Sequence, residues 1–312
     1  MKASSNRWRI IRGIVVAAVV ACFGLGTTGT ASAQAADRPS DCAGRGVPVS
    51  KISIQLWTFA EYIGFGTDAA TIARTEEVLR RLSEMGYRNV EPFTLSGLSA
   101  EAYRALLDEY GLKASARHVN VGTPENPADI EAILEENRIL GIKYFGSGGT
   151  PQYATEAEWI AYAEYLNELG ALARQQGQTL MVHNHNWEFQ TVFGDRTAFD
   201  ILMEYTDRRN VVFQLDLYWA TNGGGLDNPV EVLERYGKRI QLFHVKDMAA
   251  GTFPGRIEIV GEGIIDFPEI FAASQGPVRY YVVEHDPRFG DPTFDPFEAA
   301  QKGFDYLNCV SF

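Results

Sequence analysis

Eight times along the chain a short run of β-branched and aromatic residues precedes a longer stretch of helical periodicity, and this alternation limits the possible folds more than any other feature. The β-type runs are 52–57, 87–92, 113–118, 143–147, 179–185, 211–216, 240–246 and 279–284. Helical patterns follow at 71–85, 100–110, 127–140, 156–176, 196–206, 229–236, 267–274 and 296–306. Gly86, Gly111 and Gly141 each stand where a helical pattern stops and the lead into the next β-run begins, as expected of left-handed helix ends. Eight such units predict an α/β fold, a (β/α)8 TIM barrel in a single domain over 51–312. An open doubly wound sheet would bring fewer strands and a glycine-rich phosphate turn after the first. No such turn follows Trp57, and the glycine clusters at 146–149 and 223–225 read as flexible loops after strands four and six.

The amino-terminal 33 residues read as a signal peptide. Lys2, Arg7, Arg9 and Arg12 precede an apolar run over 14–25, and Ala31-Ser32-Ala33 offers a small-residue cleavage site. The run is short for a membrane span of about 20 residues, and no later one is long and apolar enough. A secreted or extracytoplasmic protein is therefore expected, with lipid anchoring through Cys22 as a second reading. Residues 34–50 read as a flexible leader. In an oxidising compartment, Cys42 and Cys309, near the two ends of the barrel chain, are expected to pair. The net charge is −12 and the signal peptide holds none of the acidic residues, which opposes a nucleic-acid partner. The sequence says nothing of oligomeric state.

All five histidines, His118, His183, His185, His244 and His285, fall at or just past the carboxyl end of an expected strand, the end that carries the active site in such a barrel. Glu91, Asp216 and Glu284 close strands two, six and eight in the same way. Strands five to eight thus each offer one ligand for a divalent metal: His183, Asp216, His244 and Glu284. Mixed imidazole and carboxylate donors suit manganese, the expected ion, and also zinc, cobalt or magnesium. By period two, His185 shares the inward face with His183 and is an alternative ligand. Trp57, Phe59, Trp187, Tyr218 and Trp219 cluster near these strand ends, where aromatic faces suit a sugar ring. Glu91 is a further candidate for substrate binding.

The segments His183-Asn184-His185-Asn186-Trp187-Glu188-Phe189, Gln214-Leu215-Asp216-Leu217-Tyr218-Trp219, His244-Val245-Lys246-Asp247 and Gly261-Glu262-Gly263-Ile264-Ile265-Asp266-Phe267 together resemble the xylose-isomerase-like barrel superfamily of sugar isomerases and epimerases. The resemblance runs from about Lys51 to the carboxyl terminus. It implies a metal held by an acidic residue on strand five, then by Asp216, His244 and Glu284, and it favours His183 over His185 as the first ligand. His183 stands where the epimerases carry Glu. A two-base epimerisation needs that second glutamate, so one-sided proton abstraction is expected instead.

The resemblance thus implies a metal-dependent sugar isomerase/epimerase-like enzyme, removing a proton next to a sugar carbonyl through an enediolate that the metal steadies. Glu284 is the expected base, Lys246 steadies or protonates an oxyanion, and Glu188, His185 and His118 are further acid/base or hydroxyl-binding candidates. Export points to an unphosphorylated carbohydrate substrate. The alternative within the enzyme class is a 3-keto-glycoside lyase or hydrolase, which needs one base only. A non-catalytic carbohydrate-binding barrel is the alternative outside it. The superfamily's abasic-site endonucleases are opposed by the acidic charge.

Overall fold

A strand covered on both faces has no solvent-facing position, and Val211–Asp216 obeys this by being buried at all of its residues. It is the sixth of eight parallel strands in the computed structural model, which describes residues 46–312. The others are Ile52–Ile54 (one), Asn89–Val90 (two), Tyr144–Gly146 (four), Thr179–His183 (five), Ile240–Val245 (seven) and Tyr280–Val283 (eight), with strand three broken at Ser115 into Lys113–Ala114 and Ala116–His118. Seven of them hydrogen-bond in the order one, eight, seven, six, five, four, three. Strand two closes the ring. Glu91 N donates to Ile54 O at 2.7 Å and Leu56 N to Glu91 O at 2.9 Å on one side, while Ser115 N donates to Val90 O at 2.9 Å on the other. The (β/α)8 barrel is thus complete.

One principal helix follows each strand: Ala69–Met85, Ala100–Glu109, Ile130–Leu140, Glu156–Gln175, Ala198–Tyr205, Asn228–Tyr236, Phe267–Ala272 and Pro296–Cys309. Their starts are written in side chains. Asp68, Ser99 and Asp129 each accept a first-turn N–H, and Thr155 and Thr197 form reciprocal capping boxes with Glu158 and Asp200. Gly86 and Gly141 close helices at φ +109° and +74°, as their positions in the sequence predict.

Period two then sorts the barrel interior into layers. Ala116, Tyr144, Met181, Val212 and Leu242 form an apolar floor. One step up the same strands stand His118, His183, Gln214 and His244, and one step beyond lie Asp216 and Lys246.

Four expectations change. Strand five stops at His183 because His185 N donates to the Glu188 carboxylate at 2.8 Å rather than to a neighbouring strand. Strand one gives way to a tight turn over Leu56–Phe59, started by the Gln55 side chain accepting from Trp57 N. Glycines 223–225 are no loop: Leu217–Gly224 is a helix and Gly225 ends it at φ +105°. Residues 46–50, read as the end of a flexible leader, are packed, with Val47 buried and its N donating to Leu307 O at 2.8 Å. The signal peptide, Cys22, Cys42 and the rest of the leader lie outside the described residues. Cys309 is disulfide-bonded. Among the described residues no helix is long and apolar enough to cross a membrane.

Candidate active site

The turn from an apolar floor to a polar layer happens within one strand step, so the histidines sit deep and need partners. They find them in two glutamines and a glutamate. Gln214 Oε1 accepts from His183 Nδ1 at 3.1 Å and His118 Nε2 at 2.8 Å, and Gln214 Nε2 donates to Glu91 Oε2 at 2.7 Å. Gln55 Nε2 donates to Glu91 Oε1 at 2.7 Å and lies 3.2 Å from His118 Nδ1. His244 Nε2 donates to Glu91 Oε1 at 2.7 Å. Glu91, expected to touch substrate, is instead fully buried and does not line the cleft. Burial would raise its carboxyl, yet His118 and His244 hold it below the usual carboxylate range.

This bonding leaves particular atoms facing upward. His183 keeps Nε2 free, 3.8 Å from Asp216 Oδ2, and His244 Nδ1 lies 4.0 Å from the same oxygen and 2.8 Å from Glu284 Oε2. Asp216 Oδ1 caps the helix through Trp219 N at 2.8 Å, while its buried Oδ2 accepts no hydrogen bond. Oδ2 does stand 3.1 Å from Lys246 Nζ, which also reaches Glu284 at 2.8 Å and Asp286 at 3.0 Å.

Three carboxylates thus crowd one lysine. Burial opposes charge on Lys246, but Asp216, Asp286 and Glu284 keep its pKa well above the ordinary value. Burial would likewise raise Glu284, and Lys246 and His244 overcome this to hold it ionised. Asp216 is pushed up to about 6, by burial first and by repulsion from Glu284. His244, despite burial, is raised to about 10 by Glu284 and Glu91.

The donor chemistry fits a divalent cation. Asp216, His244 and Glu284 bring their ligand atoms within 4.8 Å of one another, and His183 Nε2 turns to the same oxygen. Neighbouring donors stand roughly 3–3.5 Å apart around an ion with bonds of about 2.1 Å, so the set needs only a small contraction. Glu91 behind His244 and Gln214 behind His183 complete imidazole orientation as second partners do in metal sites. Of the groups expected from strands five to eight, Asp216, His244 and Glu284 lie together, and His183 falls in a second group with His118 and His244.

The remaining candidates surround a cleft of about 520 Å³ above this cluster, lined among others by Trp57, His118, His183, His185, Lys246 and Glu284. His118 lines it with both ring nitrogens engaged, Nε2 by Gln214 and Nδ1 beside Gln55. His185 lies past strand five yet lines the cleft, its ring stacked on Trp187 at 4.3 Å and 6°, with its buried Nδ1 unpartnered. Burial, then Lys246, lowers its pKa to about 3, so the imidazole is neutral.

Glu188 is held behind that ring. It accepts from Thr150 Oγ1 at 2.5 Å and from His185 N, and burial raises its pKa to about 7. Trp187 Nε1 donates to Thr150 Oγ1 at 3.1 Å, and Trp219 packs against His185 at 5.2 Å. His285 points away, stacked on Phe294 at 4.3 Å.

Gln55, Gln214, Thr150 and Asp286 escaped the sequence reading. Period two does mark the first two, since Gln55 is two residues beyond Ser53 and Gln214 two before Asp216. The loop at 147–149 also gains a reason: a Cβ on Gly149 would stand 2.9 Å from the His185 ring and one on Gly148 3.0 Å from His118, so these glycines admit the imidazoles.

The chain matches known proteins over most of the barrel. The family model described as xylose isomerase-like TIM barrel covers residues 79–304. The inosose dehydratase of Geobacillus kaustophilus (strain HTA426) is 27% identical over 234 residues, 63% of this chain and 74% of that one. Of several clostridial inosose dehydratases that it also matches, this chain spans about half the length. Among solved structures, a sugar phosphate isomerase/epimerase from Parabacteroides distasonis ATCC 8503 superposes with a TM-score of 0.68 at 23% identity, over 87% of this chain and 98% of that one. An IOLI protein with a bound zinc atom does so at 0.60 and 17%, over 83% and 98%. At such identities the two structures speak for the fold.

Proposed function

The chain belongs to the xylose isomerase-like TIM barrel family, and from that premise we propose that it is a divalent-metal-dependent enzyme that takes the proton beside the carbonyl of a keto sugar and expels the oxygen substituent from the next carbon. The observation that carries this is the strand-five position. His183 has one nitrogen committed to Gln214 and the other turned to Asp216, and among the described residues lining the cleft the only carboxylate besides Glu284 is Asp286, two residues along from it. A reversible inversion needs two such bases, and an elimination needs one.

His183, Asp216, His244 and Glu284 would hold the cation, which supplies Lewis-acid stabilisation of charge at the substrate carbonyl oxygen. Glu284, ionised and lining the cleft, takes the proton, while His185, whose unpartnered Nδ1 is buried, forms part of the cleft wall. The C–H electron pair becomes the new carbon–carbon double bond by way of the enolate, and the carbon–oxygen bond breaks. The leaving oxygen departs with a proton as an alcohol or water. Lys246, held cationic, steadies the developing oxyanion. The inosose dehydratase relative supports this reading, since dehydration is the same elimination with hydroxyl as the leaving group. The likeness to a sugar phosphate isomerase/epimerase supports the second reading, one-sided isomerisation through the same enolate.

An unphosphorylated substrate is part of the proposal. Of the described residues lining the cleft, Lys246 is the only cation and three carboxylates already share it, which leaves no phosphate site. Export through the amino-terminal segment, and manganese as the resident ion, stand as companion proposals. Amino-terminal sequencing of the extracytoplasmic fraction and metal analysis of protein purified without added metal test them.

The decisive experiment incubates chelated and metal-restored protein with a 3-keto glucoside and a plain ketose in D2O. Metal-dependent release of the aglycone with an unsaturated ketone as product is expected. Aldose–ketose interchange without aglycone release would select the second reading. Sugar binding that survives chelation, with no turnover of either compound, would leave only a binding barrel.

A further inference from the structure

The cleft has two unlike walls. On the side of strands three and four it is polar, with Asn120, Thr123, Ser147 and Thr150. On the side of strands one and two it is aromatic, with Trp57 and Phe93 in edge-to-face contact at 5.2 Å. That aromatic wall continues out of the cleft. Phe65, from the loop after strand one, lies 5.9 Å from Trp57, and Phe289, from the loop after strand eight, lies 6.3 Å from both Trp57 and Phe65. Phe65 is 67% exposed and Phe289 56%, although phenylalanines at a cleft mouth gain nothing from water.

Resting on the elimination reading above, we infer that this rim is the binding site for the leaving group and that the preferred leaving group is an apolar aromatic aglycone. Three features select that chemistry. The cleft volume of about 520 Å³ exceeds what one six-membered ring fills and lies within the range of about 300–1,000 Å³ that holds larger ligands. Beyond Trp57 the rim is built from phenylalanine rings, which offer stacking faces but no hydrogen-bonding group, so an aromatic ring uses them more fully than a second sugar, whose hydroxyls would lose water without gaining a partner. The rim also adjoins the cleft through Trp57, so a molecule whose sugar hydroxyls meet the polar wall presents its glycosidic oxygen near Lys246 and its aglycone to the aromatic wall.

The test compares 3-keto-glucose, which would lose water, with phenyl 3-keto-glucoside, which would lose phenol, in metal-loaded wild type and in the Phe65→Ala/Phe289→Ala double variant. Both substituted side chains are largely exposed, and circular dichroism checks the fold. Wild type is expected to show the lower KM for the phenyl compound. The double variant should raise that KM about tenfold, the effect of losing two aromatic contacts, while kcat and the KM for 3-keto-glucose change less than twofold. An unchanged KM for the phenyl compound, or an equal rise for both compounds, overturns the inference while leaving the elimination reading intact. A wild type that turns over neither compound removes both. A rim that serves instead as a contact between copies of this chain would appear as a dimer that the double variant dissociates, again with no selective effect on KM.

Discussion

Gln214 shows how much one buried amide can govern. Its oxygen accepts from two histidines and its nitrogen donates to Glu91, so it sets which imidazole nitrogen points at the metal position. Gln214→Leu keeps the volume and removes these bonds. A 10- to 100-fold loss of metal affinity is expected, the usual cost of a lost second partner, read by titration of chelated protein with retained circular dichroism. Glu188 offers a pH signature. Its folded pKa of about 7 is raised above the ordinary 4.5, mainly by burial, so folding favours its protonated form. The stability that follows is fully present below about pH 4.5 and is lost as pH rises to about 7, then stays level. Thermal melts over that window should show wild type losing stability relative to Glu188→Gln, whose side chain does not titrate. Parallel pH profiles for the two proteins would refute this. At this scale the sequence was legible where chemistry-bearing side chains obey period two, as in His183, Asp216 and His244. It was silent where a residue serves another: Glu91 reads as a candidate for substrate because nothing in its local sequence reveals the two glutamines that claim its oxygens.

Among the elements, the helices were the most legible, because all the principal ones but Asn228–Tyr236 begin at a capping side chain and several end at a glycine. Strand ends were not. Six of the eight expected strands run past the observed carboxyl ends, and the residues beyond them leave the sheet, Gln55 to be buried beneath the cleft and His185 to line it. The reason is physical: at the barrel mouth, side chains such as Gln55 and Glu188 replace the neighbouring strand as hydrogen-bond partners, and β propensity cannot register the exchange. The helix Glu156–Gln175, which packs behind strand five, offers a clean test of the capping logic. Thr155→Ala removes the side-chain acceptor of the capping box and should cost about 1 kcal/mol. Urea unfolding would show this as a lower midpoint at unchanged slope, and a midpoint that stays put would mean that tertiary packing alone holds the helix end.

For the molecule as a whole, alternation along the chain was enough to read the closed barrel, and the order of its strands made the site readable at the barrel's carboxyl face. Closure also explains why a cation should matter to the fold. The proposed ligands from strands five, six, seven and eight lie on one arc, so an ion binding the folded state alone would tie half of the ring's strands together. Chelated protein restored with metal at about 100 times its dissociation constant should gain about 2.7 kcal/mol, a rise of roughly 5–10 °C in Tm for a domain of this size, and His244→Ala should abolish the gain. Strands one and eight meet where the two ends of the barrel chain come together, and there Val47 is tied to Leu307 while Cys309 carries a disulfide. A hoop gives way at its joint, and this joint separates Gln55 and Glu91 on one side from Glu284 on the other. Loosening the clasp would therefore scatter the chemistry well before the staves come apart, so the fastening of the two ends acts as a guardian of activity more than of shape.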